Sequence, residues 1–312
     1  MSAPWYQHKH AVLQSHGSDS FEPLIRIRPS CLGSNDYNQD IENIYKYTDS
    51  MTIRLEQVFN VTNSKQGVLI VTGASRGIGA ATARIAAERG YAVCVNYHRN
   101  QAAAQSLVSE IEHGGGRAIA VAADVSSESD VISLFADVDN AFGPVTALVN
   151  NAGILEKQTR VEDIDAARLN RILATNVIGS FLCAREAVKR MSTRHGGQGG
   201  AIVNVSSAAS RLGSAGEYVD YAASKGAVDT LTIGLSREVA GEGIRVNAVR
   251  PAFIYTDMHA DGGEPGRVDR ISKSLPMQRG GHPVEVAHAI MWLLSEEASY
   301  TTGTFIDLAG GR

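Results

Sequence analysis

Tyr221 and Lys225 stand four residues apart in a stretch, 220–241, whose pattern is helical, so their side chains share one face and reach one site. A free tyrosine has a pKa near 10, too high for a base at neutral pH. A neighbouring ammonium favours the phenolate, so Lys225 would supply the field that makes Tyr221 usable for proton transfer. Tyr218 has no such partner, because the residue four later is Ala222. Upstream lie Ser206 and Ser207, hydroxyls able to donate to a substrate oxygen.

A second constellation is Thr72-Gly73-Ala74-Ser75-Arg76-Gly77-Ile78-Gly79, between an apolar run and a helical stretch. Glycines permit a tight turn and close backbone approach, and a helix N-terminus offers unpaired N–H groups and partial positive charge to a pyrophosphate. The spacing is GxxxGxG, not the commoner GxGxxG. Taken alone, the loop fits a bare structural turn as well as a dinucleotide site.

Metal chemistry is not expected. Cys31, Cys94 and Cys183 are far apart, with neither a CxxC pair nor a disulfide framework, which fits a reducing compartment. His8, His10 and His16 lack a Cys or acidic partner at ligand spacing and read as solvated polar residues.

The elements that must position these residues are set by periodicity. The chain has 312 residues, 29 basic and 33 acidic, with net charge −4 and no basic stripe, which argues against nucleic acid as partner. A hydrophobic fraction of 44% and 31 glycines exclude disorder of the whole chain. Apolar runs fall short of the roughly 18 residues of a membrane span, and Asp19 and Glu22 spoil a transit-peptide reading. A soluble, cytoplasmic protein without membrane partners is expected.

Residues 1–66 are polar and lack a sustained period, so they read as an N-terminal extension, disordered or an overlong reading frame, with Met51 a natural start for the folded domain. From Gly67 short apolar runs alternate with helical patterns, the signature of βαβ units around a parallel sheet. Strands are expected at 68–72, 91–96, 118–122, 146–150, 201–205, 244–249 and 304–308. Helices are expected at 78–89, 100–113, 127–142, 166–192, 220–241 and 283–295. This is one doubly wound, Rossmann-type α/β domain over 67–312, with seven parallel strands. The long irregular insertion 257–280 is placed over the site.

The glycine loop resembles the TGxxxGxG motif of the short-chain dehydrogenases/reductases. The resemblance continues through Asn150-Asn151-Ala152-Gly153, Asn176, Ser206-Ser207 and Tyr221-Ala222-Ala223-Ser224-Lys225, in the family's order and spacing, and covers Gly67 to Arg312. The runs 216–221, 250–251 and 277–280 further resemble the bacterial YgfF-like, glucose 1-dehydrogenase-like oxidoreductases.

That resemblance implies a nicotinamide cofactor held by Gly73, Ser75, Arg76, Gly77, Ile78 and Gly79, by Asn151, Ala152 and Gly153, and by Tyr221 and Lys225. Pro251, Ile254 and Thr256 would border its carboxamide end. The family's acidic ribose position falls on Tyr97, followed by His98 and Arg99, so no carboxylate repels a 2′-phosphate and NADP(H) is preferred, with NAD(H) also usable. Solvated surface cations are the lesser reading of Arg76 and Arg99. Asp124, followed by Val125, matches an adenine-contacting acid and equally fits a helix cap.

The catalytic set implied is Ser207, Tyr221, Lys225 and Asn176. In the family the tyrosine passes a proton to or from the substrate oxygen, the lysine also holds the nicotinamide ribose, the serine donates to the oxygen, and the asparagine holds a water for proton relay. Ser207 is preferred over Ser206 as the second serine of the pair. Asn176 on its own equally fits a solvent-facing residue. Glu156, Glu217, Tyr218, Met258 and His259 border the substrate as rim, core or ligand. Pro251-Ala252 replaces the family's Pro-Gly, which narrows the backbone freedom of that turn.

The expected reaction is NADP-dependent interconversion of a secondary alcohol or hemiacetal with its ketone or lactone. A sugar is the first substrate class, a 3-oxoacyl thioester or general carbonyl the second. A catalytically silent cofactor-binding regulator is the reading from another class, and retention of Ser207, Tyr221 and Lys225 together speaks against it. Family members form homotetramers or homodimers through the two long helices, where Ile178, Phe181, Leu182, Val188, Leu231, Ile233 and Leu235 suit core or interface.

Overall fold

Seven runs rich in Val, Ile, Leu and Ala form β1 (Val68–Val71), β2 (Ala92–Tyr97), β3 (Arg117–Ala122), β4 (Ala147–Asn150), β5 (Gly200–Val205), β6 (Ile244–Pro251) and β7 (Phe305–Leu308). The computed structural model describes residues 67–312, so the expected extension lies outside the described residues. All strand pairs are parallel, in the order β3-β2-β1-β4-β5-β6-β7. The seven strands fall within two residues of the boundaries read from periodicity.

Alternation along each strand divides the core. Leu69 and Val71 join one cluster with α1 (Gly77–Glu88), α2 (Gln101–His113) and α10 (Pro283–Leu294). Val68 and Ile70 join the other, with α3 (Glu128–Phe142), α5 (Gly179–Met191) and the end of α7 (Val219–Val239). Both faces are covered, which is why the strands read as continuous apolar runs. Ser127 caps α3 by accepting from Asp130 N, as the sequence indicated.

The chain winds outward from β1 to β3 and returns to place β4 beside β1. Ligands in such sheets bind beyond the strand ends at this reversal. Gly73 leaves β1 there and Asn151 leaves β4, while Ser206 and Ala252 leave β5 and β6 alongside.

Two expectations need correction. The helix expected over 166–192 is α4 (Ala166–Leu173), a π-helical turn Ala174–Ile178 and then α5; the i→i+5 turn leaves the apolar rhythm helical and so escapes periodicity. The insertion 257–280 holds two short helices, α8 (Met258–Asp261) and α9 (Arg267–Ser272). Another short helix, α6 (Ala209–Leu212), precedes α7. Among the described residues no helix is long and apolar enough to cross a membrane.

Candidate active site

The glycine loop and the Asn150-Asn151-Ala152-Gly153 turn are stitched together. Asn151 Nδ2 donates to Thr72 O (2.8 Å) and Gly73 O (3.1 Å), and Thr72 Oγ1 accepts from Asn151 N and Ala152 N, both at 3.0 Å. Gly73 has φ +60°, and a Cβ there would lie 2.9 Å from Ala152 Cα. At Gly79 a Cβ would meet Asn151 Nδ2 at 2.5 Å and Ala74 Cα at 2.9 Å. These two glycines let the turns interlock.

The first turn of α1 has no side-chain cap and no acidic residue, which leaves its N–H groups and positive dipole end for an anion. It opens on a groove of about 910 Å³ lined by Gly73, Ser75, Arg76, Gly77, Ile78, His98, Arg99, Asp124, Val125, Asn151, Ala152, Gly153 and Thr256. These residues fit a dinucleotide. Gly79 stands behind the groove wall. Sequence reasoning missed Asn96, which also lines the groove and accepts from Gly73 N at 3.1 Å; a lone amide inside an apolar strand was the available signal.

At the expected ribose end the residues separate. His98 and Arg99 line the groove, whereas Tyr97 is buried and does not. Arg76 reaches across to the insertion, pairing with Asp261 and, at 3.9 Å, Asp257. Asp124 Oδ1 accepts from Ser126 N (2.9 Å) and Ser126 Oγ (2.7 Å), while Oδ2 lies 3.7 Å from His98 Nε2. Asp124 thus lines the groove and shapes the turn before α3.

Tyr221 and Lys225 occupy consecutive turns of α7, with the Lys225 ammonium 5.6 Å from the Tyr221 ring centroid. Lys225 is buried and donates to Val205 O at 2.8 Å. A Cβ built on Gly153 would lie 3.4 Å from both Lys225 Nζ and Asn176 Oδ1, so the turn after β4, the π turn and α7 converge there. Asn176 is fully buried, not solvent-facing. It accepts from Ile154 N (2.8 Å) and donates to Ile154 O (3.1 Å) and Ser224 Oγ (3.0 Å). Ser224 Oγ in turn donates to Tyr221 O at 2.7 Å.

The two serines are distinguished by their partners. Ser206 Oγ is committed to Asp229 Oδ1 at 2.6 Å, while Ser207 Oγ donates to Pro251 O at 3.3 Å, accepts from Ala209 N at 3.1 Å and lines a pocket with Tyr221. Burial pushes the Tyr221 phenol up to about 12, against the pull of Ser207. Burial pushes Lys225 down to about 8, against the Asp229 carboxylate. The expectation that the lysine field makes the tyrosine a base at neutral pH is therefore corrected: desolvation dominates, and the phenol stands protonated, ready to donate.

Ser207, Tyr221, Lys225, Pro251, Ile254 and Thr256 line one pocket of about 130 Å³ that adjoins the groove through Ile78, Asn151, Thr256 and Met258. Tyr218, Met258 and His259 also line it, as does Arg267, which sequence reasoning missed. Buried Arg267 pairs with Glu217 and Glu264 and lies over the Tyr218 and Phe253 rings, so it fastens the insertion over the pocket. Glu156 instead pairs with Arg171.

Comparison with known proteins agrees with this geometry. Residues 73–312 match the family described as Enoyl-(Acyl carrier protein) reductase. Over 245 residues the chain is 63% identical to the uncharacterized oxidoreductase YgfF of Escherichia coli (strain K12), covering 78% of this chain and 99% of that one. It is 38% identical to a 3-oxoacyl-[acyl-carrier-protein] reductase of Synechocystis (78% and 96% covered). It is 35% identical to glucose 1-dehydrogenase 2 of Bacillus subtilis (strain 168) (78% and 93% covered). A crystal structure of a dehydrogenase/reductase from Sinorhizobium meliloti 1021 aligns with a TM-score of 0.73 at 31% identity, over 80% of this chain and 95% of that one. With the interlocked glycine turn, the Tyr221-Lys225 pair and relatives matched over nearly their whole length, the chain belongs to the short-chain dehydrogenase/reductase family of oxidoreductases.

Proposed function

We propose that this protein is a cytoplasmic, NADP(H)-preferring oxidoreductase that interconverts a secondary alcohol or hemiacetal with its ketone or lactone, and that its substrate is a small sugar or polyol. The observation that carries the reading is that Ser207, Tyr221 and Lys225 line one pocket, which adjoins the dinucleotide groove.

A bound nicotinamide supplies the hydride in reduction and takes it in oxidation. In reduction the substrate oxygen sits between Ser207 and Tyr221. Ser207 donates to it and steadies the charge that develops. The protonated Tyr221 gives its proton to the same oxygen, completing the carbinol. In oxidation the carbinol proton returns to Tyr221. Lys225 holds the base of the pocket through Val205 O, and Asn176 stands beside it, where a proton leaving the site would be passed on.

His98 and Arg99 in the groove, with no carboxylate at Tyr97, support NADP(H). The small pocket supports a compact substrate. The family description and the Synechocystis relative favour a second reading, reduction of a 3-oxoacyl thioester. Initial rates with NADPH, NADP⁺, NADH and NAD⁺ against sugars, polyols, 3-oxoacyl thioesters and simple ketones test both. Turnover confined to thioesters would replace the sugar reading, and binding of nucleotide without turnover of any class would favour the regulator.

The exposed apolar residues Leu169, Leu173, Ile178 and Phe181 on α4, the π turn and α5 support pairing of copies into a homodimer or homotetramer through this face. Sedimentation of wild type and Phe181→Glu checks this, and a monomer in both would refute it.

A further inference from the structure

Six residues with hydroxyls line the pocket around Tyr221. Ser206 Oγ donates to Asp229, Ser207 Oγ to Pro251 O, Tyr218 to Gly262 O and Thr256 Oγ1 to Ile254 O. Tyr221 is the proton donor of the proposed reaction. The sixth, Ser214, makes no side-chain hydrogen bond among the described residues. Its carbonyl accepts from Glu217 N at 3.1 Å and Tyr218 N at 3.0 Å, whereas its main-chain N–H finds no acceptor among the described residues. Ser214 thus leaves two donors free, Oγ–H and N–H. The buried side-chain atoms that lack a partner, among the described residues, are Asp139 Oδ1, Asn150 Oδ1 and His259 Nδ1. Ser214 is half-buried and its unpartnered Oγ is not one of them, so the hydroxyl keeps accessible surface and a ligand can reach it.

The backbone of Ser214 is strained as well. It takes φ +47°, in a loop where Gly213 and Gly216 take +73° and +72°. A left-handed backbone disfavours any residue with a Cβ, and glycine would hold the same turn without that cost. No hydrogen bond of the serine side chain within the described residues offsets it. Strain of this kind gathers at ligand contacts, and here it falls between α6 and α7, in the segment that joins Ser207 to Tyr221. Two free donors call for an acceptor oxygen. Arg267 in the same pocket is outnumbered by its carboxylate partners, Glu217 and Glu264, so an anionic oxygen would meet net negative charge and a neutral one fits better.

We propose that Ser214 binds a second, neutral oxygen of the substrate, a hydroxyl or a carbonyl, and so selects oxygenated ketones and alcohols over compounds whose only oxygen is the reacting one. The small volume of the pocket, about 130 Å³, places that oxygen within a few bonds of the reacting carbon. The inference rests on the proposed oxidoreductase reading and narrows its substrate class.

The test measures kcat/KM in the full-length protein and its Ser214→Gly and Ser214→Ala variants. With NADPH and NADH the substrates are two pairs, 2-hydroxycyclohexanone against cyclohexanone and ethyl 3-oxobutanoate against 2-heptanone, together with 3-oxoacyl thioesters; with NADP⁺ and NAD⁺ they are sugars and polyols. Both variants should lose about three- to ten-fold on the oxygenated substrates and keep the rate on the simple ketones, the loss expected for one neutral hydrogen bond. Ser214→Gly should unfold no earlier in urea than Ser214→Ala, because glycine accepts the left-handed backbone, which separates loss of the hydroxyl from loss of the fold. A loss on the hydroxyketone, sugars or polyols alone assigns a substrate hydroxyl, and a loss on the oxo ester or thioesters alone assigns a carbonyl. Equal losses on both members of a pair, unchanged rates on every oxygenated substrate that wild type turns over, or turnover confined to the simple ketones would overturn the assignment while leaving the oxidoreductase intact. No turnover of any of these compounds by wild type with any nucleotide would instead bring down the oxidoreductase reading and this one with it.

Discussion

Ser206 Oγ donates to Asp229 Oδ1 at 2.6 Å, and Asp229 is itself held by Arg250 at 3.0 Å. The two adjacent serines after β5 therefore differ in place: Ser206 ties the strand end to α7, and Ser207 lines the pocket with Tyr221. Ser207→Ala is expected to lower kcat by about 10²–10³ with nucleotide binding near normal, as for loss of one donor to a developing oxyanion. Ser206→Ala should keep most turnover and lose about 1–3 kcal/mol of stability, because buried Asp229 is left short of a donor. Paired kinetics and urea denaturation check this, and the reverse pattern would mean that Ser206 is the reacting serine.

The protonated Tyr221 sets a pH dependence of opposite sign in the two directions. Reduction uses the phenol as an acid, so its rate should stay flat through neutrality and fall only as pH approaches the raised pKa of about 12. Oxidation needs the deprotonated form, whose fraction grows with pH below that value, so its rate should climb across the alkaline range. Tyr221→Phe should lose about 10²–10⁴ in turnover in both directions while still binding nucleotide. Oxidation that is flat from about pH 6 to about pH 10 would show that Tyr221 does not carry the proton in the rate-limiting step.

Much of the fold and site was legible in the sequence, and the failures have physical causes. All-apolar runs identified the seven strands because parallel strands are covered on both faces. The TGxxxGxG and Asn151-Ala152-Gly153 residues meet as their motifs implied, because interlocking turns need glycine at Gly73 and Gly79. The π turn at Asn176 was not legible, since one residue inserted into a helical turn leaves the apolar rhythm helical. Helices α8 and α9 were missed because they are held by tertiary clasps such as Arg267 with Glu217, which join residues 50 apart. The Tyr221 pKa was misjudged because spacing reports the lysine and not the desolvation around the ring.

Arg76 shows the same limit for the cofactor, and gives a prediction. Its guanidinium, expected at a 2′-phosphate, is paired with Asp261, and both side chains are about half exposed, at 51% and 47%. An exposed pair of this kind is weak, so a phosphate can compete for the arginine. Asp261→Asn should therefore raise the preference for NADP(H) over NAD(H) by about two- to five-fold, whereas Arg76→Ala should lower it by about ten-fold or more if the phosphate takes the arginine. Ratios of kcat/KM for the two nucleotides check this. Unchanged ratios in both variants would place the discrimination on His98 and Arg99 instead.

Arg168 and Asp220 form a pair with side-chain exposures of 10% and 1%. Arg168 Nε donates to Asp220 Oδ2 at 2.6 Å, its NH1 donates to Lys157 O at 2.7 Å, and Asp220 Oδ1 accepts from Tyr221 N at 2.9 Å. The pair thus fastens α4 to the first turn of α7, beside Tyr221. Removing one partner strands a buried charge, so Arg168→Met or Asp220→Leu should each cost about 3–5 kcal/mol. Removing both together should cost less than the sum, because no uncompensated charge remains. A double-mutant cycle in urea measures the coupling. Additive losses would show that the two residues stabilise the helices independently, and that the catalytic turn is held by packing alone.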